Sequence, residues 1–318
     1  MRKKHVLMVV LAALLLVALW RVDHGQLRES IRHTPLWTVG LLLALQVLSQ
    51  LLVNAQWCAA ARLAGMPVLF WDMLYINSQG AVVDAITPGV KLGGEVTRAV
   101  QISRVSGYPG AQSAALVALQ KLFSLSALFV VLLGTLGYLT QMLSWFFALP
   151  VVCFLLVFAA IFAMPRQMKA YIQNKKAPRF PWMGKVRGFL LTWLDQVVCV
   201  RGQKGALELF LLSLLIWALY PVKLYLLVGQ FAPVLGIFPV AAVTFAAYMV
   251  GMLPIFPGGL GGFEGTMAGL LAAAGMAVSD GAVVTVFFRF VTFWFVVLLS
   301  LAYIGVYRLL LRYHRASP

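Results

Sequence analysis

Apolar runs of membrane-spanning length recur along this chain and leave few folds open to it. A helix needs about 20 predominantly apolar residues to cross the hydrocarbon core of a bilayer. Six segments reach or approach that length: 6–20, 36–61, 111–138, 143–164, 206–230 and 282–307. Because 62% of the residues are hydrophobic and only 11% are charged, we predict an all-α polytopic membrane protein with about six transmembrane helices.

The basic residues are placed as topology signals rather than as a nucleic-acid-binding surface. Lys and Arg outnumber Asp and Glu by 25 to 9, and they cluster before the first apolar segment, in a loop at 165–205, and after the last segment. The positive-inside rule predicts that all three clusters, and therefore both termini, are cytoplasmic. The same charges attract anionic headgroups, and no nucleic-acid partner is expected. Segment 6–20 follows a basic start but lacks a small-x-small cleavage site, so we expect a retained helix and not a signal peptide.

Two short stretches of the chain resemble each other across a distance of 169 residues. Stretches 88–97 and 257–266 share Pro, Gly, Gly, Glu and Thr at five of ten positions, and the same offset places 36–61 over 205–230. We therefore predict one integral membrane domain, 1–318, made of two repeats, 1–140 and 141–318. Three crossings in each repeat would insert the second copy upside down relative to the first, which is the inverted-topology arrangement of many transporters.

Each similar stretch lies in an irregular segment that is broken by Pro and Gly. The segments run from 68 to 104 and from 238 to 279, and the first contains polar residues such as Asp72, Asn77 and Asp84 that suit a lipid-facing helix poorly. We predict two re-entrant helical hairpins with structural hinges at Pro88, Gly89 and Pro257. Broken backbone is tolerated at membrane depth only where protein buries it or where it lines a wet cavity, so the hairpins should approach each other inside the bundle.

Four charged residues near these breaks are the main candidates for a binding site. Lys121 and Arg289 interrupt apolar helices, where a cation costs about 2.5 to 3.5 kcal/mol on insertion scales. Glu95 and Glu264 follow Gly pairs at helix starts. The predicted site combines these side chains with backbone amides that would face an anion, from Gly93, Gly94, Gly258, Gly259, Gly261 and Gly262.

Structural roles for the same residues remain open alternatives. The two carboxylates suit the capping of helix N-termini, and the cations suit internal salt bridges to them. Lys223, which aligns with Asn54, either lines the same cavity or extends toward the outer surface. Three scattered Cys and four His residues form no metal-binding pattern, so no metal or cofactor is expected. Without His in the spans or closely spaced carboxylates, we predict no catalytic residue and no enzyme activity.

The two stretches also resemble the signature stretches of the lysylphosphatidylglycerol synthase transmembrane-region family. The resemblance rests on Pro88-Gly89 through Gly93-Gly94-Glu95-x-x-Arg98, on the Lys121 helix and on 256–265. It implies a stand-alone, flippase-like protein of the bacterial inner membrane, without the aminoacyl-transferase domain of larger relatives, and it adds Arg98 to the predicted site.

The expected function is translocation of a phospholipid or lipid-linked headgroup, anionic or zwitterionic, at a central polar site. The alternatives are a membrane-embedded lipid-linked transferase and a non-catalytic partner of a lipid-modifying enzyme. The sequence leaves the lipid, the energy source and the oligomeric state open.

Overall fold

A computed structural model describes residues 35–87, 92–142, 148–175, 180–232, 234–253 and 259–316. These residues form helices joined by short turns, and no strand occurs among them. In chain order the helices are α1 (Leu36–Leu63), α2 (Phe70–Ile86), α3 (Leu92–Ser106), α4 (Gly110–Met142), α5 (Ala148–Ala163), α6 (Pro165–Asn174), α7 (Pro181–Val200), α8 (Lys204–Val228), α9 (Ile237–Gly251), α10 (Gly262–Ala273), α11 (Val278–Arg289) and α12 (Phe295–Ala316). A π-helical turn, Phe290–Trp294, joins α11 to α12.

Four of the described helical segments are long and apolar enough to cross a membrane. They are α1, the part of α4 from Gly110 to Thr135, α8, and the continuous helix Val278–Leu310 that includes the π-helical turn. The apolar helix α5 and the short helix α6 form a fifth candidate that bends by 82° at Pro165. The predicted helices at 36–61, 111–138, 206–230 and 282–307 are therefore confirmed, whereas the segment 6–20 lies outside the described residues. The total of six crossings stays a prediction.

The order of elements after α7 repeats the order at the beginning of the described chain. In each case a long helix is followed by two short helices with a break between them and then by another long helix: α1, α2, α3 and α4, and later α8, α9, α10 and the α11–α12 helix. Helix pairs flank both predicted breaks. The opposite orientation of the two copies and the re-entrant character of the pairs stay predictions.

The segment expected to be a basic loop, 165–205, is mostly helical. Both α6 and α7 begin with Pro, whose fixed φ suits the first helical position and whose missing N–H costs nothing there. Leu194, Val197 and Val200 of α7 are buried at helical spacing. These apolar residues explain why the segment folds onto the bundle in spite of its charge.

Contacts divide the described chain into two compact units, each with its own core. Unit A contains the segments before Ser49, from Ser78 to Glu95 and from Leu219 onward; unit B contains Ser49–Asn77 and Val96–Ala218. Apolar side chains of α8 to α11 fill the core of unit A, and those of α1 to α4, α7 and α8 fill the core of unit B. The units do not coincide with the predicted repeats 1–140 and 141–318, because each unit takes segments from both.

Candidate functional site

The clearest polar site in unit A is an ion pair between two of the predicted residues. Arg289, the last residue of α11, lies with its Nε 3.0 Å from Oε1 of Glu264 in the first turn of α10. The Arg289 side chain is 9% exposed and that of Glu264 is 24% exposed. A buried charge needs a partner in a low-dielectric interior. The structure thus brings these two residues together, as in the salt-bridge alternative, and the partial exposure leaves the carboxylate accessible from outside the core.

Two phenylalanine rings complete the surroundings of the Arg289 guanidinium. Its Cζ lies 4.6 Å from the ring centroid of Phe263 and 4.3 Å from that of Phe293. A guanidinium close to an aromatic face gains cation–π stabilisation, which increases when water is excluded. The π-helical turn begins at the next residue, Phe290, and such turns widen a helix locally and recur at functional sites. Arg289 is therefore held by one carboxylate and two rings at a local irregularity of a membrane-spanning helix.

Glu264 also closes the start of its own helix. Its Oε2 accepts a hydrogen bond from the backbone N–H of Gly261 at 2.6 Å. Gly261 has a φ of 88°, and Gly259 has a φ of 72° with its backbone so close to α9 that an added Cβ would lie 2.5 Å from the carbonyl oxygen of Gly251. Gly262 is the first residue of α10. Pro257 and Gly258 lie outside the described residues. One carboxylate thus fills both roles that the sequence suggested, the helix cap and the partner of a cation.

The first copy of the stretch closes its helix with a different carboxylate. The backbone N–H of Gly94 donates to Oδ1 of Asp84 at 2.9 Å, and an added Cβ on Gly94 would lie 2.2 Å from the Asp84 Cγ. Gly93 approaches Thr87 almost as closely. Glu95 is buried at the same helix start. The Gly94 amide therefore serves an internal carboxylate, and the glycines of the first copy allow α2 and α3 to approach each other.

The other predicted residues lie in unit B or outside the described chain. The Arg98 guanidinium lies 5.7 Å from the ring centroid of Trp57, and Lys121 is half-buried in α4. Next to Lys121, Gln120 donates to the Oε1 of Gln56 at 2.9 Å. Pro88 and Gly89 are not among the described residues. A role for Arg98 and Lys121 in binding a ligand stays a prediction.

Lys223 is a second buried cation of unit A. It is fully buried in α8, its Nζ lies 2.6 Å from Oε1 of Gln46 in α1, and it lies 4.4 Å from the ring centroid of Tyr220. The Lys223 ammonium therefore lies inside the protein and does not extend toward the outer surface, which was the second alternative for this residue.

Aromatic side chains connect this lysine to the ion pair. Tyr220 contacts Tyr248 edge to face at 4.9 Å between ring centroids, and Tyr248 contacts Phe263 at 5.1 Å. Phe263 in turn packs against the Arg289 guanidinium. Unit A therefore contains a continuous series of contacts from Lys223 through three rings to Arg289 and Glu264. We call this series the aromatic contact series.

Sequence reasoning identified the three charged members of the aromatic contact series and missed its three rings. Tyr220 and Lys223 are three residues apart on one helix, a spacing that places them on the same face and that could have suggested their contact. Gln46 and Tyr248 meet their partners only in the folded chain, so no local pattern identifies them. Among the described residues, no group of three or more His, Cys, Asp or Glu side chains is placed to hold a metal ion.

Unit B contains a separate cleft of about 490 Å³ between α4, α7 and the end of α1. Its polar lining includes Gln112, Thr192, Asp195 and Gln196. None of the residues predicted for the binding site lines this cleft.

Comparison with known proteins identifies related membrane proteins along nearly the whole chain. The family model described as the lysylphosphatidylglycerol synthase TM region matches residues 6–300. A UPF0104 membrane protein of Methanothermobacter thermautotrophicus is 22% identical over 92% of this chain and 91% of its own length. UPF0104 membrane proteins of Pyrococcus horikoshii (23% identical; 94% of this chain and 95% of the relative) and Methanocaldococcus jannaschii (20% identical; 92% and 91%) are similar over comparable shares. These three relatives are archaeal, and each match covers more than nine tenths of both chains. Together with the family model, they show a multi-pass integral membrane protein of a family that is related to membrane lipids.

Proposed function

The chain belongs to the lysylphosphatidylglycerol synthase TM region family, and we propose that it translocates phospholipids or lipid-linked headgroups across the membrane. We propose that it lies in the bacterial cytoplasmic membrane, as the family resemblance implies, and that both termini are cytoplasmic, as the distribution of basic residues along the sequence predicts. Family membership supports a lipid-related role in a membrane. The proposed activity rests on the contacts of unit A.

The observation that carries the proposal is the ion pair of Arg289 with a partly exposed Glu264. Transport requires a site that binds a charged headgroup and then releases it, so the headgroup must find a protein partner of opposite charge. A guanidinium binds phosphate in a planar, often bidentate geometry. Glu264 is 24% exposed, which allows a phosphate to approach the pair from the side of the carboxylate.

Exchange of partners would keep Arg289 paired throughout such a cycle. A lone cation within the membrane is costly, and so is a buried carboxylate without a donor. When phosphate replaces Glu264 at Arg289, the carboxylate keeps the hydrogen bond from the Gly261 amide. When the lipid leaves, the ion pair closes again. In the resting state the Glu264 carboxylate thus occupies the place at Arg289 that the headgroup phosphate takes during transport.

Two residues of unit B, Lys121 and Arg98, belong to the proposed site because of their positive charge and their positions in the sequence. Lys121 is a cation in an apolar helix, and Arg98 follows the first Gly pair. We propose that both contribute positive charge to headgroup binding, and Lys121 is included in the test for this reason.

The experiment is a phospholipid translocation assay with purified full-length protein in vesicles. A fluorescent phospholipid in the inner leaflet becomes accessible to a membrane-impermeant reductant only after translocation. We expect the double variant Lys121→Ala/Arg289→Ala to lose most of the activity, and the matched variant Arg201→Ala/Lys204→Ala, which removes two exposed cations, to retain it. Unchanged activity of the first variant would refute the site assignment.

The same purified protein separates this function from the two alternatives. Consumption of a lipid substrate, detected by mass spectrometry of extracted lipids, would indicate a membrane-embedded transferase. Absence of translocation by the protein alone, together with stable co-purification of a soluble lipid-modifying enzyme, would indicate a non-catalytic partner.

A further inference from the structure

The structure assigns a second lipid contact to the helical hairpin of α6 and α7, at a distance along the chain from the residues of the proposed translocation site. We propose that the outer face of this hairpin inserts its aromatic side chains between anionic phospholipid headgroups of the bilayer that contains the protein. We call this face the hairpin platform and define it by Tyr171, Lys175, Phe180, Trp182, Met183, Lys185 and Val186. All seven residues belong to unit B.

The direction of α6 relative to α5 is the first support. The apolar helix α5 lies within the segment 143–164 that the sequence predicts to cross the membrane, and α6 leaves it at an angle of 82° after Ala163. A helix that turns by almost a right angle at the end of a span runs close to the plane of the membrane surface. Amphipathic helices with basic and aromatic side chains bind at that level.

Three contacts define the inner side of the hairpin and leave its other side exposed. Arg187 of α7 donates from Nη2 to the carbonyl oxygen of Gln173 in α6 at 2.8 Å. Lys169 forms an ion pair with Asp195. Met168 packs against the core of unit B. The first two contacts join α6 to α7, whereas Met168 and the buried Val197 and Val200 of α7 attach the hairpin to the core of unit B. The residues of the hairpin platform are all exposed.

Large apolar side chains on this face are exposed. Tyr171 is 64% exposed, Phe180 55% and Trp182 62%, and Met183 and Val186 are exposed beside them. Trp and Tyr prefer the headgroup level of a bilayer, because their rings are apolar and their N–H or O–H groups are polar. Insertion among headgroups would remove these rings from water.

The charge of the segment selects anionic headgroups. Residues 165–194 include seven Lys and Arg, and no Asp or Glu occurs anywhere between Glu95 and Asp195. Lys175 lies with its Nζ 4.7 Å from the ring centroid of Tyr171, so this cation and this ring of the hairpin platform contact each other. Basic side chains beside an anionic membrane surface each contribute about a fivefold preference for it. Exposed aromatic rings between them favour a lipid surface over a soluble acidic partner, because the rings can enter the layer below the headgroups.

The test compares two nanodisc compositions, phosphatidylcholine alone and phosphatidylcholine mixed with phosphatidylglycerol, using the full-length protein. Hydrogen–deuterium exchange should show stronger protection of 165–175 and 180–187 in the mixed discs. Native mass spectrometry should show that Lys175→Gln/Lys185→Gln weakens the preference for bound phosphatidylglycerol by about 25-fold, at about fivefold per charge. Lys175→Arg/Lys185→Arg should retain it. Arg201→Gln/Lys204→Gln removes the same charge outside the platform and should also retain it.

Three results would overturn the proposal. Equal protection in both compositions would mean that anionic headgroups do not bind this face. An equal loss of preference in the platform and control double variants would indicate a general charge effect. Unchanged protection in Trp182→Ala would show that the aromatic side chains do not insert. None of these measurements depends on translocation, so the hairpin platform and the proposed translocation activity can fail separately.

Discussion

Arg289 Nε and Glu264 Oε1 lie 3.0 Å apart, with the rings of Phe263 and Phe293 beside the guanidinium, although the two residues lie in different helices of unit A. Removal of one partner would leave the other charge buried or half-buried without compensation. We expect Glu264→Gln to lower the free energy of unfolding by about 3 kcal/mol, the lower end of the range for buried pairs because the carboxylate is partly exposed. Thermal unfolding in detergent measures this change.

A double-mutant cycle gives the control for that prediction. Glu264→Gln combined with Arg289→Gln should destabilise the protein by clearly less than the sum of the two single changes, because the second change removes the stranded charge. Strictly additive effects would mean that the two side chains do not interact in the folded protein.

Gly94 marks the close approach of α2 and α3. In Gly94→Ala the new Cβ would overlap the Asp84 carboxylate and displace it from the helix start. We expect a loss of about 1 to 3 kcal/mol of stability, the usual cost of excess volume in a packed site. Gly134→Ala is the matched control, because nothing lies within 4 Å of its added Cβ in α4. That variant should be neutral or more stable, since Ala favours a helix over Gly by about 0.5 to 1 kcal/mol.

Gly259 combines a left-handed backbone with a short distance to α9. The Cβ of Gly259→Ala would meet the Gly251 carbonyl oxygen at 2.5 Å, so the chain before α10 would have to move, and with it the cap at Gly261. We expect lower stability and slower lipid translocation in the vesicle assay. Gly269→Ala, in the following helix α10 and with nothing within 4 Å of its added Cβ, should retain both. Normal translocation by Gly259→Ala would argue against the need for this geometry.

Lys223 allows a structural role to be separated from a functional one. Lys223→Met leaves the Gln46 side chain without its ammonium donor and should cost about 1 to 3 kcal/mol, the penalty for an unsatisfied buried polar group. A further Gln46→Leu change should recover most of that stability. If the lysine participates in transport, the double variant will be stable yet remain slow in the vesicle assay. Recovery of both properties together would assign Lys223 a purely structural role.

The spans were predictable because their signal is local. The apolar lengths of α1, α4 and α8 agree with the predicted segments to within a few residues, since bilayer thickness fixes the length that a helix must reach. The pairing of Glu264 with Arg289 was also accessible, as one of two alternatives, because a carboxylate and a cation inside apolar sequence each require a partner.

Other contacts could not be predicted because their partners are distant in the sequence. Lys223 and Gln46 are separated by 177 residues, and the role of Asp84 depends on how closely α3 returns to α2. The helices at 165–205 were missed for a different reason. Their charge suggested an open loop, whereas the buried spacing of Leu194, Val197 and Val200 determines how the segment folds.

The two similar stretches close their helices with carboxylates of different origin, and this difference has an evolutionary consequence. In the later stretch one residue, Glu264, both caps its helix and balances a cation. At the earlier stretch the Gly94 amide donates to Asp84, a carboxylate that the preceding helix α2 supplies. Selection should therefore retain Asp84 together with Gly94 in descendants of a common ancestor, whereas the later stretch contains its own capping carboxylate.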